Sequence, residues 1–573
     1  MRRSTLLFLA SVTLFVTFLG LEPLLTFPVW GSDSGEYYVL TSYLLDHGQF
    51  LRTGYAGNGF GYPYFPGMFE VGAAVAGATG ADPLASLLVT VPVLGALSIL
   101  PLFLLFRRFY PHDGVAILGA ALAGAVFPRL FSLSHAAPLT MGDLFVVASL
   151  WMFVEQRKDP RWLLPLGLTL FALIATHHFS SYIFFITATG GLALFELYAP
   201  GRWAKRFPAR EFGVLGAFVV SLFTYWFLYA PPFADRILPQ GVEGRVPSIA
   251  LPVAAVGVLA LLALGVYWSR RSRGTTGSFR IPRLRWPSLG KLIRDPLIVG
   301  LLVYGGLATL LVVPIPGTHQ TATPLELVYY SPFVLLGPLS AANRRFASFS
   351  PLGYIPWFIL ATVGASAAFG LVTANPVLLP ARHVEYLAIP LAFFSALALG
   401  RLVQSYLAQG RGQAAMAVTS VALLLVAANA AVAYPPPVAL GGFEEGFTVQ
   451  DVAMVTWMAR EMAPGSVLAA DYRLSDLYFG FSGNPATWSN AGPLFLSPNR
   501  TAALQQLAGT RAPSRTLPID LVAVDATMRT TGVALNPSSL ALPMAPQALT
   551  RFSEPPFVVV YENGPQEVWW VDG

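Results

Sequence analysis

Residues 6–38 read LLFLASVTLFVTFLGLEPLLTFPVWGSDSGEYY, and the two halves of this stretch decide how the rest of the chain is read. Leu6 to Leu25 is an apolar run behind Met1-Arg2-Arg3. A hydrocarbon core about 30 Å thick is crossed by roughly 20 such residues in a helix. The run is long for the core of a signal peptide and lacks a clear small-residue cleavage site, so it reads as an uncleaved signal anchor. The second half, GSDSGEYY, sets Asp33 and Glu36 just past the outer end of that run.

Apolar runs of this length recur as far as Ala433. The 573 residues are 55% hydrophobic and only 11% charged, with a mean hydropathy of +0.60, an apolar excess too large for a chain whose surface meets water. Thirteen crossings are expected: Leu6–Leu25, Leu84–Phe106, Val115–Leu133, Pro138–Val154, Trp162–Thr176, Ser181–Leu197, Phe212–Tyr229, Ile249–Trp268, Leu297–Val313, Glu326–Ala342, Leu352–Val372, Tyr386–Val403 and Ala414–Ala433. The fifth and sixth share only residues 162–197, which at about 1.5 Å per residue leaves room for a tight hairpin tipped by His177 and His178. With Met1 on the cytoplasmic side, 23 of the 35 Lys and Arg residues fall in cytoplasmic segments, among them the basic loop from Arg270 to Arg294. Such a bias fixes orientation. It also explains the net charge of +6 without nucleic acid as a partner.

Two segments stand outside this pattern. The loop from about Thr26 to Pro83 is rich in aromatics and glycine and contains GYPYFPGMFE as well as GSDSGEYY. Loops of that length inside a compact fold usually carry function, and short helices along the membrane surface are expected in it. Residues 434–573 contain no spanning run and are long enough for one soluble domain. Thr448-Val449-Gln450-Asp451 opens this part like a capping box. Ser466–Ala470, Asp520–Val524 and Phe557–Tyr561 are short strand-like runs, and Glu562-Asn563-Gly564-Pro565 reads as a turn before Glu567–Val571. The expected fold class is therefore a polytopic α-helical membrane protein, residues 1–433, with a small extracytoplasmic α/β domain at 434–573. Cysteine is absent, which excludes disulfides and thiolate chemistry.

Charges at membrane depth are costly and tend to be functional. On a helix, Asp33 and Glu36 at i, i+3 would share one face, where paired acids can act as a base or hold a metal; the alternative is a solvated loop. Other ionisable groups gather at outer helix ends: Arg129, Asp143, His177, His178, His319, Glu326 and Arg382. Arg382 is one of five basic residues outside the membrane before residue 434, with Arg52, Arg129, Arg236 and Arg245. Its guanidinium fork suits phosphate oxygens, and Arg129 joins it as a candidate phosphate ligand; the alternative for Arg382 is anchoring at the headgroups. His178 is a candidate for positioning the acceptor, though adjacent His177 and His178 point different ways and make poor co-ligands for one ion. Asp143 sits just inside its helix, where it can cap or pair with Arg129.

This order of parts, with Asp33 in GSDSGEYY and the aromatic GYPYFPGMFE behind it, resembles the GT-C superfamily of membrane glycosyltransferases, which use polyprenyl-phosphate-linked sugars. Within it the chain is most similar to the oligosaccharyltransferase catalytic subunits and to protein O-mannosyltransferase-like families. Asp143 stands at their second-loop acid, Thr323-Pro324-Leu325-Glu326 resembles their Thr-Ile-x-Glu motif, and Arg382 resembles their arginine near helix 12. The resemblance implies a divalent metal, Mg2+ or Mn2+, held by Asp33 and Asp143. It further implies an acceptor positioned by Glu326 and a lipid phosphate met by Arg382. The chain departs from the family in lacking the Trp-Trp-Asp-Tyr-Gly motif, of which Thr487-Trp488-Ser489-Asn490-Ala491-Gly492 is a remote echo. Transfer of a sugar to a lipid, glycan or protein acceptor is expected, rather than glycosylation of Asn-x-Ser/Thr. A transporter or lipid flippase is the competing class, opposed by the absence of an internal repeat and by the long acidic loop.

Overall fold

The computed structural model describes residues 2–52, 54–198, 208–237, 257, 259–267, 301, 304–305, 308–313, 321–341, 354–373, 378, 381–512, 515–535 and 541–572. They form two compact units. One comprises Met1–Leu19, Leu94–Leu133 and Met141–Tyr434; the other comprises Gly20–Val93, Ser134–Thr140 and Pro435–Gly573. The first-loop segment thus groups with the C-terminal residues rather than with the helices that flank it in sequence.

Apolar length makes the first unit helical. Among the described residues seven helices are long and apolar enough to cross a membrane: Arg3–Leu25, Pro83–Phe109, Pro138–Glu155, Ala209–Tyr229, Ile355–Thr373, Ala381–Ala408 and Gly412–Ala431. The expected count of thirteen exceeds these seven, and the candidates Ile249–Trp268 and Leu297–Val313 fall partly outside the described residues. Shorter apolar helices, Asp113–Ala125 and Pro160–Thr176, accompany them. Within Ala381–Ala408, Tyr386, Ile389, Phe393, Phe394 and Leu397 are all buried, which makes this helix the centre of the unit. The predicted hairpin is present: Leu163–Thr176 ends at His177, whose φ −153°, ψ 120° is extended, and His178–Tyr198 follows at once. At the basic end of the bundle, ion pairs tie neighbouring helix ends, Arg107 with Asp113 at 2.8 Å and Arg108 with Glu155 at 3.2 Å.

In the second unit a four-stranded sheet runs in the order Leu468–Ala469, Leu521–Val524, Gln566–Val571, Phe557–Asn563, with one parallel and two antiparallel pairings. The four strands fall on the four strand-like runs. Helix Val449–Glu461 opens with the predicted capping box, Thr448 N donating to Asp451 Oδ2 at 2.7 Å and Asp451 N to Thr448 Oγ1 at 3.2 Å. The first-loop segment enters through a two-residue antiparallel pairing, Val29 opposite Phe447 and Trp30 opposite Gly446. Its helix Ser34–His47 then packs on helix Tyr472–Ser482. These two helices touch backbone to backbone, because a Cβ on Gly35 would lie 2.0 Å from the Asp476 carbonyl oxygen and one on Gly480 would lie 2.3 Å from the Gly35 carbonyl oxygen. Arg473, fully buried, braces the base of the second helix between Asp471 at 3.2 Å and Asp525 at 2.6 Å.

Candidate active site

Asp33 precedes helix Ser34–His47 at the position where an aspartate usually caps, yet its side chain makes no capping bond. That task falls to Asp476, whose carboxylate accepts from Gly35 N at 2.6 Å and from Glu36 N at 3.3 Å. Negative charge suits a helix N-terminus, and the substitution releases Asp33 for other partners. Its Oδ1 accepts from the Tyr472 hydroxyl at 2.8 Å, and its Oδ2 from the hydroxyls of Tyr62 at 2.7 Å and Tyr37 at 3.3 Å.

Glu36 lies on the same face one turn on and is fully buried. Its Oε1 accepts from Tyr55 Oη at 2.6 Å and from Gly59 N at 2.8 Å, which fastens the loop 55–59 to the helix. Asp33 is half-buried, so of the two acids it is the one that presents surface to a substrate. The aromatic segment GYPYFPGMFE contributes through Tyr62, whose ring also meets Tyr37 edge-on at 5.1 Å.

Burial and like charge set the protonation of this cluster. Burial pushes Asp33 above the ordinary carboxylate value, with the Glu445 charge adding to it and the phenol hydrogen bonds opposing it. Glu36 is raised to about 7 by burial and then by the charge of Asp33. Asp476 is raised well above its ordinary value by burial and by both neighbours. The phenols of Tyr37, Tyr55, Tyr62 and Tyr472 are held well above 10 by burial and the adjacent carboxylates, so they stay protonated and donate. A fourth acid, Glu445, is lowered: burial works against it, but His135 at 3.7 Å and Ser32 N at 2.8 Å outweigh that. His135 in turn lies 5.3 Å from the Trp30 ring.

The remaining expected residues belong to the first unit. Arg129 is fully buried; its guanidinium pairs with Asp143 Oδ2 and donates to Ser98 Oγ at 2.8 Å and to the Ala123 carbonyl at 3.0 Å. These are the contacts of an internal brace. His177 Nδ1 meets Ser180 Oγ at 2.7 Å, and Ser180 Oγ meets the Tyr386 hydroxyl at 2.8 Å. His178 packs on Phe233 at 4.7 Å. Arg382 is exposed at the start of helix Ala381–Ala408 and near enough to His177 and His178 for its charge to act on both. Glu326 closes a capping box with Thr323 at the head of helix Pro324–Ala341. His319 and Arg245 lie outside the described residues, as does the side chain of Arg236.

The acids expected to share a metal, Asp33 and Asp143, fall in different units, and each is engaged, one by phenols and one by Arg129. Among the described residues no group of three or more His, Asp or Glu is arranged to hold a metal ion. No step below is routed through a metal.

Sequence reasoning passed over Tyr55, His135, Glu445, Tyr472 and Asp476. A signal existed for two of them: Tyr472, Asp476 and Gly480 recur at i, i+4 and i+8, one stripe of a helix, between the buried residues Leu474, Leu477 and Phe479. Trp488, in the echo of the sequon motif, is 1% exposed and its ring lies tilted against Phe479 at 5.6 Å, so it serves as core.

No protein-family model matches the sequence, and no curated protein matches it either. Among solved structures, the apo oligosaccharyltransferase of Archaeoglobus fulgidus is similar with a TM-score of 0.59 at 16% identity, over 91% of this chain and 70% of that one. The archaeal oligosaccharyltransferase AglB from Archaeoglobus fulgidus, in complex with an inhibitory peptide and a dolichol-phosphate, gives 0.58 at 16% identity over 91% and 69%. A further structure of the Archaeoglobus fulgidus enzyme, in complex with Zn and sulfate, gives 0.55 at 16% identity over 90% and 68%. At that identity the likeness shows the fold alone: the chain shares the fold of the archaeal oligosaccharyltransferase structures.

Proposed function

We propose that this protein transfers a sugar from a polyprenyl-phosphate-linked donor to an acceptor hydroxyl on a lipid, glycan or protein, at the extracytoplasmic face of the cell membrane. The observation that carries this reading is the half-buried Asp33 carboxylate, held by the hydroxyls of Tyr62 and Tyr472 on a glycosyltransferase fold. In this reading Asp33 takes the proton of the acceptor hydroxyl as its oxygen attacks the anomeric carbon. The bond from that carbon to the phosphate oxygen breaks, and the lipid phosphate leaves with the electron pair. A carboxylate oriented by fixed donors suits general-base work. The three phenols stay protonated and hold its orientation.

Glu36 positions the loop over the site rather than reacting, since it is fully buried and already bonded to Tyr55 and Gly59. Arg382, exposed and charged, meets the donor phosphate, with the buried Arg129 assigned to the same side. Glu326 and His178 are assigned to the acceptor side. The excess of Lys and Arg in alternate segments supports a cytoplasmic N-terminus and an outside placement for residues 434–573.

The test is incubation of purified protein with a panel of radiolabelled polyprenyl-phosphate and polyprenyl-diphosphate sugars. Loss of one donor, coupled to transfer of its label, supports the reading. A folded protein that consumes none of them removes it.

A further inference from the structure

Helix Arg3–Leu21 is fastened near both ends. Thr5 Oγ1 donates to Asp113 Oδ2 at 2.8 Å, and the Leu19 carbonyl accepts from the Tyr434 hydroxyl. Between these points Leu9 and Val16 are buried. Phe8, Ser11, Val12 and Phe15, spaced i, i+3, i+4 and i+7 on another face, form one wall of a cavity of about 610 Å³. Its other walls come from helices Asp113–Ala125, Ala381–Ala408 and Gly412–Ala431. The cavity exists because part of its wall is small: Ala121 and Ala422 leave the space that longer side chains would fill.

Water is a poor occupant. Ser11 Oγ is bonded to the Leu7 carbonyl at 3.0 Å, Thr419 Oγ1 to the Ala415 carbonyl at 3.0 Å, and His112 Nδ1 accepts from Val115 N at 3.2 Å. A confined water needs two to four polar partners; these three side chains already have theirs, which leaves Gln404 alone among the polar side chains of the lining. Three of the four helices around the cavity, all but Asp113–Ala125, are long and apolar enough to cross a membrane, which sets the cavity among hydrocarbon chains. The size matches that of pockets for small organic ligands, roughly 300–1,000 Å³.

Charge selects among lipids. Basic residues stand close along the chain to lining residues at one end of the cavity: Arg107 pairs at 2.8 Å with Asp113, between the lining residues His112 and Gly114, Arg401 follows Gly400, and Arg411 lies just beyond Leu407. Basic clusters at a membrane surface attract anionic headgroups. We propose that this cavity is a binding site for an acyl chain of an anionic phospholipid, whose phosphate rests against the arginines at its mouth. The lipid replaces the side-chain packing that the small wall residues omit, and it seals the first helix against the bundle.

The experiment supplies delipidated protein in mild detergent with phosphatidylglycerol or phosphatidylcholine of equal chain length and reads retained lipid by native mass spectrometry. Phosphatidylglycerol is expected to be retained at a concentration at least fivefold lower than phosphatidylcholine. Ala422→Phe and Ser11→Trp, which fill the cavity from opposite walls, should each lower retention at least fivefold. The double change Arg401→Gln, Arg411→Gln should abolish the headgroup preference. Equal retention of both lipids by the unaltered protein overturns the proposal. So does retention untouched by either filling variant, or a preference for undecaprenyl phosphate over phosphatidylglycerol. Should the filling variants not fold, the comparison of lipids on the unaltered protein decides.

Discussion

The hydroxyl of Tyr472 donates to Asp33 Oδ1 at 2.8 Å across 439 residues of chain. A hydrogen bond to a charged group is worth about 1.5–3 kcal/mol. Tyr472→Phe should therefore lower kcat roughly ten- to a hundredfold while leaving the donor KM near its original value. Steady-state kinetics with the donor identified in the panel checks this. A rise in KM with unchanged kcat would place Tyr472 in binding instead.

Asp33→Asn keeps the shape and hydrogen-bonding reach of the side chain and removes its charge. Loss of a general base costs about 10² to 10⁴ in rate, and a fall of that order is expected in single-turnover transfer. Donor binding, read separately by competition, should be unchanged.

Glu36 titrates at about 7 in the folded protein. A carboxyl raised on folding contributes stability that is complete below its unfolded value and lost as pH rises through the folded one. Glu36→Gln cannot ionise, so its melting temperature relative to the unaltered protein should improve between pH 5 and pH 8. The full effect is on the order of 3 kcal/mol. A difference independent of pH would show that Glu36 is already ionised throughout that range.

Gly480→Ala should destabilise the protein, since the added carbon meets the Gly35 carbonyl oxygen at 2.3 Å with backbone on both sides. Overpacking of this kind costs about 1–3 kcal/mol. Thermal unfolding followed by tryptophan fluorescence reads it. Gly483→Ala, at φ +69° with open space around it, is a control in which only backbone strain contributes.

Arg382→Ala should weaken donor binding more than Arg382→Lys, because lysine keeps the charge and loses the fork. Both variants should fold, as the side chain is exposed. Equal affinity in all three proteins would assign Arg382 to anchoring at the headgroups.

The helices were legible because apolar length is a local property, and so was the hairpin turn at His177. The pairing of Asp143 with Arg129 could be foreseen as well, since the two lie 14 residues apart. The capping box at Thr448 needed only four consecutive residues. What could not be read was the union of GSDSGEYY with residues 445–480. Glycines and phenols carry it, neither of which leaves a periodic apolar trace, and the partners are separated by more than 400 residues. Asp33 was identified as an acid worth attention, but its release from helix capping depends on Asp476, and no local pattern states that one residue caps on behalf of another.

The long reach from Asp33 to Tyr472 also orders events during synthesis. A ribosome adding about 5–20 residues per second takes on the order of 20–90 s to travel the 439 residues between them. Through that interval the first helix and its acidic loop have left the ribosome while the phenol that orients Asp33 and the carboxylate that caps its helix do not yet exist. The nascent chain therefore carries an unassembled acid cluster until the segment around Gly480 arrives, so the arrangement around Asp33 is complete only when translation is nearly finished.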